Sequence, residues 1–205
     1  FPSMGIDKPY EEYLAGILRK NGIPAILAEL IRGGGRQASW EPEFFRQKAL
    51  ELKGLGQLDA ALDYAELTIK TDVLSSNARL IQGMILWEMG QSQEAADSYE
   101  RALELNQNNY QAAGRLAEAY AGMKNTTKAL EKILAAIEQF PGEPELQAAK
   151  SRILIKQNDL EGALSALDEA NHLDPLNPSY LYQKGELYHQ SGRNLPAVRQ
   201  YGLAL

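Results

Sequence analysis

Two histidines, one glycine run and one Asn-Thr-Thr triplet are the residues of this 205-residue chain whose types could carry chemistry. His172 and His189 could serve as proton shuttles or metal ligands. They fall in different stretches, and the chain has no Cys to complete a site that needs three or four convergent ligands. The run RGGGR at 32–36 invites a phosphate cradle. No Lys-Ser/Thr pair follows it and no strand-like stretch precedes it, so a helix terminator is the plainer reading. The triplet NTT at 125–127 is a formal glycosylation acceptor, meaningful only in a secretory compartment. Asp and Glu are spread between Lys and Arg, as on solvated helix faces. These residues assemble no catalytic centre, no metal site and no cofactor-binding site, and the expected activity is not enzymatic.

The sequence is more informative in steps of 34. From Ala61 that step reaches Ala95, Ala129, Ala163 and Ala197. From Ala102 it reaches Ala136, Ala170 and Ala204. A third register holds small residues: Ala49, Gly83, Ala117, Ser151, Gly185. Two others hold large apolar groups, one with Leu52, Leu86, Tyr120, Leu154 and Tyr188, the other with Tyr99, Ile133, Leu167 and Tyr201. Such phasing marks a repeat protein.

Each unit carries two amphipathic stretches, as in YQAAGRLAEAYAGM (110–123) and TTKALEKILAAIEQF (126–140), with apolar residues three or four apart. A turn register separates them: Gly56, Gly90, Lys124, Asn158, Gly192. Ser92, Thr126 and Asn194 are the expected N-caps, Pro196 suits a first turn, and FPGEP (140–144) and DPLNP (174–178) end helices. The alanines then mark helix crossings. A side chain longer than methyl would push the axes apart there, while the large registers fill the remaining space.

These residues resemble the tetratricopeptide repeat family, a 34-residue helix–turn–helix with small and aromatic residues at set places. Gly185, Tyr188, Gly192, Ala197, Tyr201 and Ala204 follow its pattern in the fifth unit. Leu116, Ala117, Tyr120, Ala129, Ala136 and Pro141 do so in the third. The fourth fits through Ser151, Leu154, Ala163, Leu167, Ala170 and Pro175, and the second has Gln107 where proline is usual. The first unit departs at Ala65, Thr68 and Val73. The resemblance covers 42–205 in five units, 42–75, 76–109, 110–143, 144–177 and 178–205. It implies an all-α, right-handed superhelical solenoid whose first helices line a concave groove, and a scaffold or adaptor function through a partner peptide or helix held there.

On the groove side of those first helices stand Arg46, Leu50, Leu80, Ile81, Met84, Trp87, Arg115, Glu118 and Arg152, the expected partner-binding residues. Some family members clamp a terminal carboxylate with fixed Lys, Asn and Arg residues. Leu50 and Ile81 stand where asparagines would be required, and Gln111 replaces a lysine, so that clamp is not expected. Leu80, Met84 and Trp87 form one stripe instead, flanked by Ile81, with Arg46 and Arg115 on either side. The stripe suits a protein or peptide partner with an apolar anchor and acidic groups nearby. The alternative is that the chain's own segment 1–33, or a crossing helix, covers it.

Residues 1–41 read either as a degenerate opening unit, on Leu14, Ala15, Leu18 and Gly22, or as a cap of unrelated helices. The sequence stops at YGLAL inside a second helix, where solenoids usually carry a polar cap. That leaves three expectations: a scaffold, the regulatory or targeting part of a larger enzyme or assembly machine, or a homo-oligomer joined through the uncapped end. At 44% hydrophobic and 23% charged, the chain is too apolar for disorder. A net charge of −6 argues against a nucleic-acid partner, and no apolar run is long enough to insert in a membrane. The absence of Cys and a first residue that is Phe, as in a processed chain, leave cytoplasmic and periplasmic settings both open.

Overall fold

A computed structural model describes residues 42–205. The described residues form ten α-helices: α1 (Pro42–Gly54), α2 (Leu58–Thr71), α3 (Ser76–Glu88), α4 (Ser92–Leu105), α5 (Tyr110–Gly122), α6 (Thr126–Gln139), α7 (Pro144–Lys156), α8 (Leu160–Leu173), α9 (Pro178–Gln190) and α10 (Asn194–Leu203). They pack as consecutive antiparallel pairs, and each pair packs on the next. The architecture is an all-α, right-handed superhelical solenoid of helix–turn–helix repeats. The segment 1–41, with its opening-unit motif and the RGGGR run, lies outside the described residues.

All five turns within the pairs close in the same way. In the second, the Gly90 N–H donates to Trp87 O at 3.0 Å and the Gln91 N–H to Leu86 O at 2.9 Å. This double closure of a helix end needs one residue with positive φ. Gly56, Gly90 and Gly192 supply it at φ 72, 80 and 75°, and Lys124 and Asn158 adopt it at 61 and 62° despite their side chains. Between pairs, a buried chain of bonds does the joining. Ser76 Oγ donates to Ala102 O at 2.8 Å, and Asn109 Nδ2 donates to Ser76 Oγ at 2.8 Å. Asn109 Oδ1 also accepts the Ala112 N–H at 3.0 Å, capping α5.

Caps fall one residue earlier than the sequence suggests. Ser92, Thr126 and Asn194 are the first helical residues, not N-caps. For α6 the capping side chain is Asn125, which accepts the Lys128 N–H at 3.2 Å, so the asparagine of the NTT triplet serves as a helix cap. Pro144 and Pro178 open α7 and α9, where a missing N–H costs nothing.

The packing rests on paired sizes. Ala61, Ala95, Ala129, Ala163 and Ala197 are no more than 2% exposed. Gly83 lies against the ring of Tyr99, so close that a methyl there would fall 2.5 Å from Tyr99 Cε1. Gly185 stands in the same relation to Tyr201. Where the large register holds Ile133 or Leu167, the small register holds Ala117 or Ser151 instead. Each buried Ile or Leu of this kind contributes about 1.5–3 kcal/mol. The loose first unit departs from this pairing, since Ala49 and Ala65 are both small. Ala65 and Thr68 are buried, and Thr68 meets its polar need by donating to Tyr64 O at 2.9 Å, while Val73 sits exposed in the connecting turn.

Two outcomes follow. Gly83→Ala should cost about 1–3 kcal/mol, and combining it with Tyr99→Leu should cost less than the two added, whereas strict additivity in a urea-denaturation cycle would deny the size pairing. Nothing crowds Gly90 apart from its own backbone. Gly90→Ala should therefore lower the urea midpoint and Lys124→Gly raise it, each by about 1 kcal/mol in stability.

Candidate functional site

One position of each first helix recurs along the inner face: Leu50, Met84, Glu118, Arg152 and Glu186, each 34 residues from the last. In the middle of this row Glu118 is 8% exposed, an unusual place for a carboxylate without partners. It has two. Arg152 reaches across from α7, its Nε donating to Oε1 at 2.6 Å and its Nη2 pairing with the same oxygen. Arg115, one turn earlier on α5, donates from Nη1 to Oε2 at 3.1 Å. Both guanidinium side chains remain over 40% exposed. The triad carries one net positive charge and ties the third unit to the fourth.

Two adjoining pockets share that triad as a common wall. The first, about 150 Å3, is lined by Leu80, Met84, Tyr110, Leu146 and Ala149 among others, with Glu145 at its margin. Burial, reinforced by Glu143 and Glu145, pushes the Tyr110 phenol above its usual ionisation range. The second, about 170 Å3, is lined by Trp87, Ala121, Ile153 and Lys156 beside the triad. Trp87 lies on Gly122, where a methyl would fall 2.4 Å from Trp87 Cη2. The Lys156 ammonium stands 5.4 Å from the centre of the indole ring. Behind the triad, burial holds the Tyr99 phenol well above its usual range, opposed by the positive field of Arg115 and helped by Glu118 and Glu88.

The structure brings together six of the nine expected residues, Leu80, Met84, Trp87, Arg115, Glu118 and Arg152, at these pockets. The stripe is not an open surface. Leu80 is 5% exposed and joins the central core, while Met84 and Trp87 are half-buried. Ile81 faces the other way, into the cluster of Phe45, Ala49, Tyr64 and Ile85. Neighbours on a helix point about 100° apart, so Leu80 and Ile81 cannot share one groove face. Arg46 is bonded within α1 to Glu43, its Nε at 2.7 Å from Oε2, which raises its pKa further. Leu50 is partly exposed on the same helix, and neither lines these pockets. Cover by segment 1–33 falls outside the described residues.

The groove residues drawn from the sequence, which include Lys156 in the fourth unit, omit Gly122, Tyr110, Leu146 and Ala149. Gly122 and Gly114, glycines within or ending a helical pattern without a turn, were a readable sign of close backbone approach. A methyl on Gly114 would sit 3.2 Å from Leu146 Cδ2. His172 and His189 are exposed on α8 and α9. Among the described residues no group of three or more His, Asp or Glu could hold a metal ion, and no helix is long and apolar enough to cross a membrane. The wider depression of about 610 Å3 at Tyr182 and Tyr201 opens on the face that earlier pairs bury against their successors, since Tyr99, Ile133 and Leu167 share the Tyr201 register. It is a packing face of the solenoid.

Comparison with known proteins agrees with this architecture. Models of the tetratricopeptide repeat family match residues 86–153 and 149–205. Cellulose synthase operon protein C of Pseudomonas fluorescens (strain SBW25) is 29% identical over 185 residues, covering 78% of this chain and 14% of that protein. The PEX5-related protein of Mus musculus is 28% identical over 176 residues, covering 80% of this chain and 31% of that protein. The chain thus spans less than a third of the length of either relative. Among solved structures, TTC0263, a thermophilic TPR protein of Thermus thermophilus, superposes with a TM-score of 0.73 at 20% identity, covering 80% of this chain and 90% of that one.

The bonding around Glu118 is unequal, and stability should report it. Arg152→Ala removes both of the bonds that cross between units and leaves a buried carboxylate on a single donor, so it should cost roughly 1–3 kcal/mol. Arg115→Ala removes one bond within α5 and should cost less. Urea denaturation of the two variants, closed into cycles with Glu118→Ala, measures the difference.

Proposed function

Because the chain belongs to the tetratricopeptide repeat family, we propose that it is a non-enzymatic scaffold that holds a segment of a partner protein on the concave face of α3, α5 and α7. Tetratricopeptide repeats mark a protein-interaction scaffold. The observation that carries the finer reading is the pair of adjoining pockets around the Arg115–Glu118–Arg152 triad. They sit in mid-solenoid, on the inner face, and combine apolar walls with charged groups that retain unused donors.

The first pocket fits an apolar anchor of the partner. Its walls of Leu80, Met84, Leu146 and Ala149, with Tyr110 between them, come from three successive units, so a side chain seated there touches all three at once. Shape and burial favour such an anchor because a few well-enclosed apolar contacts dominate most interfaces. Met84 is the adaptable wall: its unbranched thioether adjusts to different anchors at small cost. The expected occupant is an extended peptide or one face of a helix, since either presents side chains at intervals along a groove.

The test uses short peptides selected against the protein from a displayed library. Met84→Gln and Trp87→Ala should each weaken the selected peptides by about tenfold, in the range of a good interface contact. Both side chains are half-buried and pack on the core, so the melting temperature should fall by less than loss of a fully buried side chain would cause. A large fall in melting temperature with unchanged peptide affinity would show that these residues serve the core alone.

A further inference from the structure

We infer that the second pocket is a receptor for a carboxylate side chain, so that the partner segment carries an Asp or Glu close to its apolar anchor. This rests on the groove reading above and adds the chemistry of its ligand. The two pockets differ in charge although they share a wall. The first is lined by Arg115 and Arg152 against Glu118 and Glu145, which balance. The second is lined by Arg115, Arg152 and Lys156 against Glu118 alone, leaving two net positive charges. Glu118 is already counted in that sum, and both its oxygens are bonded to guanidinium groups.

Donors remain for a second acid. Arg115 gives Glu118 only one N–H, from Nη1, and Arg152 gives Nε and Nη2 while its Nη1 has no bond among the described residues. Lys156 is exposed and rests against the Trp87 ring without a carboxylate partner among the described residues. Trp87, Ala121 and Ile153 form the rest of the lining. Charged hydrogen bonds beside such low-dielectric walls are stronger than in open water. The chain as a whole is acidic, at −6, so a free anion is not gathered from a distance. An acid tethered beside a seated apolar anchor escapes that penalty, because its effective concentration at the pocket is set by the tether.

The acid belongs to a side chain, not to a chain end. The pocket is built from α3, α5 and α7, with α1 and α9 continuing the solenoid on either side, so a bound segment runs past it.

Peptides acetylated and amidated at their ends provide the test, each holding one Leu or Phe with Asp, Glu, Asn or Gln at varied separations. Asp or Glu peptides of the right separation should bind about tenfold tighter than their Asn or Gln counterparts, the worth of one charged hydrogen bond. Lys156→Gln, which leaves the Glu118 triad intact, should weaken the acid peptides far more than the amide peptides and so remove most of that difference. Arg115→Gln should act in the same direction, with circular dichroism confirming the fold of each variant. Equal binding of acid and amide peptides would overturn this inference and leave the apolar groove standing. An acid effect confined to uncapped peptides would overturn the side-chain assignment. Failure of every peptide to bind would overturn both readings.

Discussion

How closely two helices can approach is the constraint on which everything else in this molecule depends. At each crossing the backbone of one helix must come near the side chains of the next, and that distance is set by the smallest residue present. Gly83 against Tyr99 shows the limit: the ring occupies the space a methyl would need. The same room is divided differently in the third unit, where Ala117 and Ile133 share one cluster. Summed volume is held while the individual residues change, as close-packed interiors require. Repeating that contact every 34 residues gives every pair the same build, and stacking like pairs curves the inner face.

Curvature then creates the site. Bringing α3, α5 and α7 around one concave face places Glu118 and Arg152, which occupy the same position in successive units, within bonding distance. It also lays Trp87 on Gly122, so the indole is a wall of a pocket and not an open platform. The paired charges do not simply stabilise the bend. A half-exposed guanidinium gains little from an ion pair in water, whereas a carboxylate as enclosed as Glu118 requires one. The arginines are therefore held in place by an acid that needs them more than they need it. Their remaining donors are fixed in direction before any partner arrives, which lowers the entropy lost on binding.

Much of this was legible in the sequence because the fold repeats. Five turn positions could be found from a 34-residue step, and all five have left-handed backbone, including Lys124 and Asn158, which nothing but the phase would single out. The family and the all-α solenoid follow from the same phase. Resolution failed at the level of single faces. Ile81 and Leu80 differ by one position and by a third of a turn, and an apolar residue beside a groove looks the same in sequence as one inside a core. At α6 the N-cap missed by one residue for a similar reason, since Asn125 and Thr126 are both good capping types, whereas α4 and α10 follow Gln91 and Arg193, which make no side-chain cap bond. Burial of Trp87 by Gly122 depends on the curve between units, which is a sum of small rotations that no local pattern encodes. The opposite charges at Glu118 and Arg152 are readable in the sequence, since the two stand 34 residues apart in one row.

That comparison explains where specificity can reside in such a chain. The packing rows preserve size: Ala at 61, 95, 129, 163 and 197, and large apolar groups in the rows they nest with. They carry little freedom to encode a partner, because a change in one alters the spacing of the helices on both sides. The groove row runs Leu50, Met84, Glu118, Arg152, Glu186, passing from apolar to acidic to basic to acidic. Each of those residues meets only its neighbours, so its chemistry can vary in step with theirs without changing the helix spacing. The pockets lie where that row passes from apolar to charged, between Met84 and Arg152. A ligand fitted to that junction has to combine apolar and charged groups. The scaffold's regularity thus fixes the spacing of what it reads, and its irregular row fixes the chemistry.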